Sequence, residues 1–248
     1  LVLLLITGCY PQHKNQVNTI RIKGSDTMLL LTRAWAEGYV KEFPNVSFYL
    51  DGGGTATGAL ALANGETDIC AASRPLRPDE ISLLAKKYNK IGIAFMVAKD
   101  ALSVYVHRDN PVKDLTLTQI KEIFTGKLTN WNQLGGMDMP IIVTSRYPSS
   151  GTYYYFQEHV LEGNEYTPHA ELLATTEQMT NFIAGHINSI GYGGFGWGTT
   201  VAHCKIEGIE ATETNVINGT YPIARYLYLY TVNIPMFEVK HFIDWVMD

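Results

Sequence analysis

An α/β fold of open sheets is what the sequence predicts, and three observations predict it. Short apolar runs that alternate with a period of two give way repeatedly to runs with helical spacing. Several strand-like runs end in glycines, hydroxyls or a cation, and open α/β sheets bind ligands at the carboxyl ends of their strands. The 248 residues, 46% hydrophobic and 17% charged, suit one large globular domain or two small lobes.

The chain opens on Leu1-Val2-Leu3-Leu4-Leu5-Ile6-Thr7-Gly8-Cys9, an apolar stretch too short to span a bilayer. It resembles the end of a bacterial lipoprotein signal peptide, and the polar run Tyr10 to Gln16 follows directly. Residues 1–9 are therefore expected to be a signal remnant with Cys9 as the lipid attachment site, and 10–17 a tether. The protein is then held on the periplasmic or extracellular face of the membrane, anchored but not spanning. A buried strand with an incidental cysteine is the alternative.

Thr19-Ile20-Arg21-Ile22-Lys23 alternates like a strand, and Gly24-Ser25-Asp26-Thr27 follows it. Leu31, Trp35, Tyr39 and Phe43 then recur at helical spacing. Val46, Phe48 and Leu50 mark a second strand, followed by Gly52 to Gly58 and a helix-like run with Leu60 and Leu62. Asp68 to Ala72 ends in Ser73-Arg74. Such βα units run to about Phe95. After Lys99-Asp100, Ala101 to His107 reads as a new strand, and Asn110-Pro111 as a turn. Thr118 is placed to cap a helix over Gln119 to Phe124, which Gly126 would stop. Trp131, Gly135 and Gly136 lie in a loop. Pro140 to Ser145 reads as a strand, Arg146 to Thr152 as a polar turn and the aromatic run from Tyr153 as a helix. Ser189 to Gly194 is a glycine-rich strand end. A polar strand pair is expected after Ala202, and Val239 to Met247 reads as a terminal helix with Phe242, Trp245 and Val246 on its apolar face.

A net charge of -5 with no Lys/Arg cluster argues against a general nucleic-acid binder. The seven histidines show no metal-ligand spacing and no Cys-x-x-Cys occurs, so no metal or cofactor is expected. Gly191-Tyr192-Gly193-Gly194-Phe195-Gly196 formally fits a dinucleotide fingerprint, but no suitable βαβ unit surrounds it. Cys70 and Cys204 either pair as a disulfide of an exported protein or remain buried thiols. Trp131 and Trp197 are read as packing against core or hinge, and Tyr153 to Tyr155 as packing or cleft wall.

The chemistry concentrates at Arg146-Tyr147-Pro148-Ser149-Ser150-Gly151-Thr152. A turn of this composition aims backbone N–H groups, hydroxyls and one guanidinium at one point, which suits a small tetrahedral anion. An anion site on an acidic chain has to be local, built from a few aimed groups.

A family resemblance rests on motifs that keep their order along the chain. They are Gly24 to Met28, Asp51 to Gly58, Ala72-Ser73-Arg74-Pro75-Leu76, Asp100-Ala101-Leu102, Ile123 to Trp131, Arg146 to Thr152, Ile190-Gly191-Tyr192 and Tyr221 to Arg225. The chain resembles the phosphate-binding proteins of high-affinity ABC phosphate transporters. That resemblance implies a two-lobed periplasmic-binding-protein fold, with 18–95 and 195–248 as the first lobe and 96–194 as the second. It implies a monomer that captures inorganic phosphate between the lobes, delivers it to an ABC permease and catalyses nothing. By position, Thr27, Met28, Thr55, Arg146, Ser150, Gly151 and Thr152 fall on the family's phosphate contacts. Arg74 departs from the pattern, since several members carry there an aspartate that accepts the phosphate proton.

Ser25, Thr27, Thr55, Ser73 and Ser150 can donate hydroxyl hydrogens, and backbone N–H groups of Thr27, Gly151 and Thr152 can donate from helix N-termini. Asp26 is the nearest candidate for the proton acceptor, and Arg74 a further candidate contact. The structural alternatives are an ordinary N-cap for Ser25 and Asp26, a tight turn for Gly52 to Gly54, and a structural ion pair for Arg74. The functional alternatives are the same fold around sulfate or molybdate, a phosphoryl hydrolase, and a sensor that docks on a signalling partner when closed. A hydrolase would need a base or metal beside its nucleophile, and neither is visible.

Overall fold

The computed structural model describes residues 18–248. The expected signal remnant, Cys9 and the tether lie outside the described residues. The chain runs β1 (Asn18–Gly24), a 3-10 turn (Asp26–Met28), α1 (Leu29–Glu42), β2 (Val46–Asp51), α2 (Thr55–Asn64), β3 (Ile69–Ala72), α3 (Pro78–Tyr88) and β4 (Ile93–Val106). It continues through β5 (Asp114–Leu115), α4 (Leu117–Phe124), a 3-10 turn (Trp131–Leu134), β6 (Ile142–Arg146), α5 (Gly151–His159), β7 (Glu171–Leu173) and α6 (Thr176–Gly185). The last elements are β8 (Ser189–Gly194), β9 (Ala202–His203), β10 (Lys205–Ile206), α7 (Glu213–Ile217), β11 (Ala224–Thr231) and α8 (Phe237–Met247).

The main sheet has the order β2-β1-β3-β11-β4-β8-β6-β7, with β9 added on β4. Parallel pairs β1/β2 and β1/β3 form one end, and parallel pairs β6/β7 and β6/β8 the other. Antiparallel β11 and β4 join them. Parallel strands need crossover helices, which is why the sequence alternates strand and helix patterns there.

Two hydrophobic cores flank the join. One gathers Ile20, Ile22, Met28, Tyr39, Ile69, Leu227, Leu229 and Phe242. Tyr39 meets Phe48, Phe242 and Trp245 edge-on, so the C-terminal helix closes the lobe that the N-terminal strand begins. The other core holds Leu102, Val104, Phe124, Trp131, Phe156, Tyr192, Ile206, Tyr221 and Ile223. Phe156 stacks on Tyr192 at 4.0 Å, which ties α5 to β8 beneath the strand ends.

Four expectations need correction. The strand expected to start at Ala101 begins at Ile93. Lys99-Asp100 looks like a break in an apolar run, but it lies within the ladder, with Asp100 directly opposite Arg225 on β11. The lobe boundaries move with it. Residues 93–101 of β4 pair with β11 and 102–106 with β8, and Val201, Cys204, Ile206, Val216, Tyr221 and Ile223 pack within the second lobe rather than the first. The crossings therefore fall near Ala101/Leu102 and Ile223/Ala224, not at 95/96 and 194/195. The strands after Ala202 do not pair with each other, because β9 joins β4 and β10 joins β5. Finally, Thr116 and not Thr118 caps α4. Its hydroxyl accepts from Gln119 N at 3.1 Å while Gln119 Oε1 accepts from Thr116 N at 2.9 Å. Thr118 has no glutamine or glutamate three residues on, so it cannot close the reciprocal cap.

Cys70 and Cys204 are free and buried, in separate clusters. Burial pushes the Cys204 thiol up to about 12 and the Cys70 thiol higher still. Among the described residues no helix is long and apolar enough to cross a membrane.

The turn after β1 depends on one glycine. Gly24 has φ +151°, and a Cβ there would lie 2.0 Å from the Ala71 carbonyl oxygen. That carbonyl accepts from Ser25 N at 2.8 Å, and Gly24 O accepts from Gly54 N at 2.9 Å, so the turn is clamped on both sides. Gly24→Ala is expected to cost more than about 3 kcal/mol, read from the midpoint of urea unfolding.

Candidate functional site

Three chain turns converge on the cleft between the cores. The 3-10 turn Asp26–Met28, which leads into α1, and the start of α2 at Thr55 come from the first lobe. The start of α5 at Gly151 comes from the second. First-turn N–H groups have no intrahelical acceptors, and the helix dipole places partial positive charge there.

Arg146 ends β6 and is only 2% exposed. Its Nη2 donates to Asp26 Oδ2 at 2.6 Å across the cleft and to Ala174 O at 2.7 Å, and its Nη1 donates to Thr176 Oγ1 at 3.0 Å. Its Nε is buried without a hydrogen-bond partner among the described residues. The strand end beneath it is held by a polar network. Tyr192 OH meets Ser145 Oγ at 2.9 Å and Tyr166 OH at 2.9 Å, and accepts from Arg146 N at 3.4 Å. Burial pushes the Tyr192 phenol up to about 12, so it remains a neutral donor and acceptor at neutral pH.

Asp26 is 6% exposed. Its Oδ1 accepts from Gly53 N at 3.2 Å, so each carboxylate oxygen has one donor and keeps a further lone pair. A Cβ on Gly52 would lie 2.4 Å from Oδ1, so the glycines after β2 let the backbone approach this carboxylate.

The lobes touch through small groups. Thr55 Oγ1 accepts from Ser73 N at 3.2 Å and lies 3.4 Å from Ser73 Oγ. A Cβ on Gly151 would meet Thr55 Oγ1 at 2.3 Å and Ser73 Oγ at 2.7 Å. Beside them Ala56 N donates to Ser149 O at 3.2 Å. Ser150 Oγ accepts from Thr152 N at 3.2 Å, capping α5, and its hydrogen stays available for donation. The Thr152 N–H expected to face a ligand is thereby used as a cap contact.

The structure also brings in residues that the sequence reading did not assign to the site. Thr176 at the start of α6 accepts from Arg146, and Trp197 Nε1 donates to Thr27 O at 3.3 Å. Arg225 on β11 donates to Thr152 Oγ1 and Thr27 Oγ1 at 3.1 Å each, and pairs with Asp100 at 3.0 Å. Burial pushes the Asp100 carboxyl above its ordinary value, and the adjacent guanidinium opposes part of that push. Arg225 lay inside the quoted motif Tyr221 to Arg225, but no local feature aimed it at Thr27 or Thr152.

Two expected contacts point elsewhere. Arg74 donates to Glu80 Oε1 and Oε2 at 2.7 and 2.8 Å and to Pro75 O at 2.9 Å, so its guanidinium is committed to a structural ion pair. Met28 packs in the first core and its N–H donates to Ser25 O at 3.1 Å. Arg74→Leu is expected to destabilise the fold by about 3–5 kcal/mol, because it strands the Glu80 carboxylate at 5% exposure. Anion affinity of the same variant stays within about threefold by calorimetry, since the guanidinium makes no bond to the cleft residues.

A cavity of about 710 Å³ opens beside the cleft, between Arg74–Arg77 and Tyr154–His159. Arg225 borders it, but Asp26, Thr55, Ser73, Arg146 and Ser150 do not. Its aromatic and cationic walls already pack on each other, Arg77 over Tyr154 at 4.3 Å and Arg225 over Tyr155 at 5.5 Å. The convergent donors lie in the cleft and not in this cavity.

Two α/β lobes joined by crossing strands, with helix N-termini, hydroxyls and a buried guanidinium meeting between them, define the architecture of a two-lobed binding protein. The model of the PBP superfamily domain matches residues 11–248. The phosphate-binding protein PstS of Pseudomonas aeruginosa is 34% identical over 231 residues, 86% of this chain and 72% of that protein. PstS of Bacillus subtilis is 32% identical over 234 residues, 92% of this chain and 75% of that protein. A phosphate ABC transporter substrate-binding protein from Clostridium perfringens, solved with bound phosphate, superposes with a TM-score of 0.86 at 34% identity, covering 93% of each chain. The chain belongs to the PBP superfamily and, within it, to the family of PstS phosphate-binding proteins.

Proposed function

We propose that this chain captures inorganic phosphate between its lobes and delivers it to an ABC permease without turning it over. The single observation that carries this reading is the Arg146 guanidinium. It is buried, its Nε, like those of Arg74 and Arg77, has no hydrogen-bond partner among the described residues, and it is the one of the three that is paired with Asp26 across the cleft. A buried donor left without an acceptor is costly, and a tetrahedral oxyanion supplies one. One hydroxyl of the Ser25/Thr27 pair, with those of Thr55, Ser73, Ser150 and Thr152, supplies hydroxyl donors to the other oxygens, and the helix N-termini stabilise their charge. The fixed charges nearby, Arg146 with Asp26 and Arg225 with Asp100, cancel in pairs. Donors and dipoles therefore do most of the selecting.

Asp26 is the proton reader in this proposal. Its remaining lone pairs accept the proton of hydrogen phosphate, whereas sulfate brings no proton and faces the carboxylate with an unpaired oxygen. A mismatch of that kind discriminates by roughly 10⁴-fold. The 1–9 segment and its polar continuation support attachment of the protein to the periplasmic or extracellular face of the membrane through acylated Cys9. A Cys9→Ala chain is expected in the soluble fraction.

The test is calorimetric titration of the purified chain, unfolded and refolded to strip carried-over ligand, with phosphate and then sulfate at neutral pH. Tight one-to-one phosphate binding with little sulfate binding is expected, and Asp26→Asn narrows the difference. Equal binding of both anions removes the proton reader and leaves a general oxyanion receptor. Binding of neither overturns the ligand assignment, and release of phosphate from a phosphomonoester overturns the non-enzymatic one.

A further inference from the structure

Arg225 and Asp100 occupy one rung of the ladder, directly opposite each other on β11 and β4. These are the strands that cross between the lobes, and the rung lies one residue before the crossing at Ala101/Leu102. Nε and Nη2 both donate to Asp100 Oδ2, at 3.2 and 3.0 Å. The guanidinium, with its side chain 1% exposed, then divides. Nη2 reaches Thr27 Oγ1 on the first lobe and Nη1 reaches Thr152 Oγ1 on the second. The face of Tyr155 lies 5.5 Å away, and Tyr155 OH donates to Ala224 O at 2.8 Å, so the cation is also held from the side of α5.

An arginine donates and never accepts. A threonine hydroxyl that accepts from it must give its own hydrogen to something else. For Thr152 that hydrogen is free for the cleft. Thr27 Oγ1 lies 2.8 Å from Ser25 Oγ, and that contact uses one of their two hydrogens. The other is free for the cleft whichever of the pair donates. A hydroxyl that already accepts from a cation is also polarised into a stronger donor. The arrangement therefore forces hydroxyls of both lobes into the role an all-acceptor anion needs.

We propose that Arg225 is a positioning residue for the anion, anchored on the crossing strands by Asp100, and that through its bonds to Thr27 and Thr152 it leaves one hydroxyl hydrogen of the Ser25/Thr27 pair and that of Thr152 as donors on opposite walls of the cleft. The inference rests on the phosphate reading. It adds to it a specificity device: selection for ligands that present only acceptors toward these two walls, made effective when both lobes are within reach of one guanidinium.

The experiment is a double-mutant cycle on the full, ligand-stripped chain, titrated calorimetrically with inorganic phosphate. Arg225→Gln is expected to weaken binding by about 10- to 100-fold in the wild-type background. In a Thr27→Val, Thr152→Val background the same change is expected to weaken it less than about threefold, because the hydroxyls it orients are gone. Arg225→Lys keeps a cation opposite Asp100 but cannot fork to two hydroxyls. It is expected to restore the melting temperature and not the affinity, and it replaces the glutamine variant in the cycle if that variant does not fold. Losses that multiply in the hydroxyl-free background overturn the proposal, as does full rescue by lysine, since either means that charge or scaffold alone is at work. Wild-type protein that binds no phosphate overturns the functional reading and this inference together. Wild-type binding with multiplicative losses overturns this inference only.

Discussion

Arg146→Ala is expected to lower phosphate affinity by roughly 10³-fold. Two losses combine. The charge-assisted donors that a buried anion needs disappear. Asp26, 6% exposed and paired to Arg146 at 2.6 Å, is left as an uncompensated carboxylate facing an incoming anion. Breaking a buried pair from one side costs about 3–5 kcal/mol, which is two to three and a half decades in a binding constant. Arg146→Lys keeps the charge but cannot serve Asp26, Thr176 and Ala174 at once, so it is expected to recover only part of the affinity. Calorimetry measures both variants. Thermal melting gives a second reading, because a ligand that binds only the folded state raises the melting temperature by mass action. Phosphate should raise it in the wild type and hardly at all in Arg146→Ala. An alanine variant that binds within tenfold of the wild type would remove Arg146 from the centre of the site.

Gly151→Ala is expected to weaken phosphate binding by at least about 10²-fold while leaving the fold intact. The added methyl group would sit 2.3 Å from Thr55 Oγ1, 2.7 Å from Ser73 Oγ and 2.9 Å from Thr55 Cβ. Both partners are fully buried and neither is the tip of a flexible chain. Overlap of this size is relieved by parting the lobes, and misplacement near 1 Å is enough to cost about 10²-fold where several groups must act together. Within its own lobe the change is benign, because alanine favours helix over glycine at the start of α5. Small-angle scattering separates the outcomes. The wild type should become more compact with phosphate and the variant should not. A variant that compacts and binds normally would show that the Gly151 contact does not limit closure.

The sequence reading succeeded where the signal was local. Ile20 and Ile22 alternate with polar neighbours, and β1 is there with both buried. Arg146 to Thr152 reads as a polar turn between strand and helix, and the segment lies between the end of β6 and the start of α5. It failed where a side chain chose between a near and a far partner. Arg74 follows Ser73 directly, but Ser73 turns to Thr55 while Arg74 turns to Glu80 on α3, held in place by the Arg77 N–H donating to that same carboxylate at 2.8 Å. Lys99-Asp100 looked like a break ahead of a new strand because the neutraliser of Asp100 is 125 residues away. Thr176 and Trp197 reach the site through tertiary contacts to which neither 3.6 nor 2.0 periodicity is sensitive. The lobe boundary erred for the same reason, since short β9 and β10 are sorted by their pairing partners and not by their own composition.

The two lobes share a continuous strand. β4 carries one lobe on residues 93–101 and the other on 102–106, and β11 runs beside it with a register shift between Leu227 and Tyr228. Such an irregularity bends a strand and increases its local twist. Mechanically, the lobes are mounted on one torsion bar, not hung from a loose linker. A shared ladder of this kind ties the position of one lobe to that of the other through the paired rungs of β4 and β11. The faces this bar holds against each other meet at Gly151 with Thr55 and at Arg146 with Asp26, so the register of the clasp is written into the sheet.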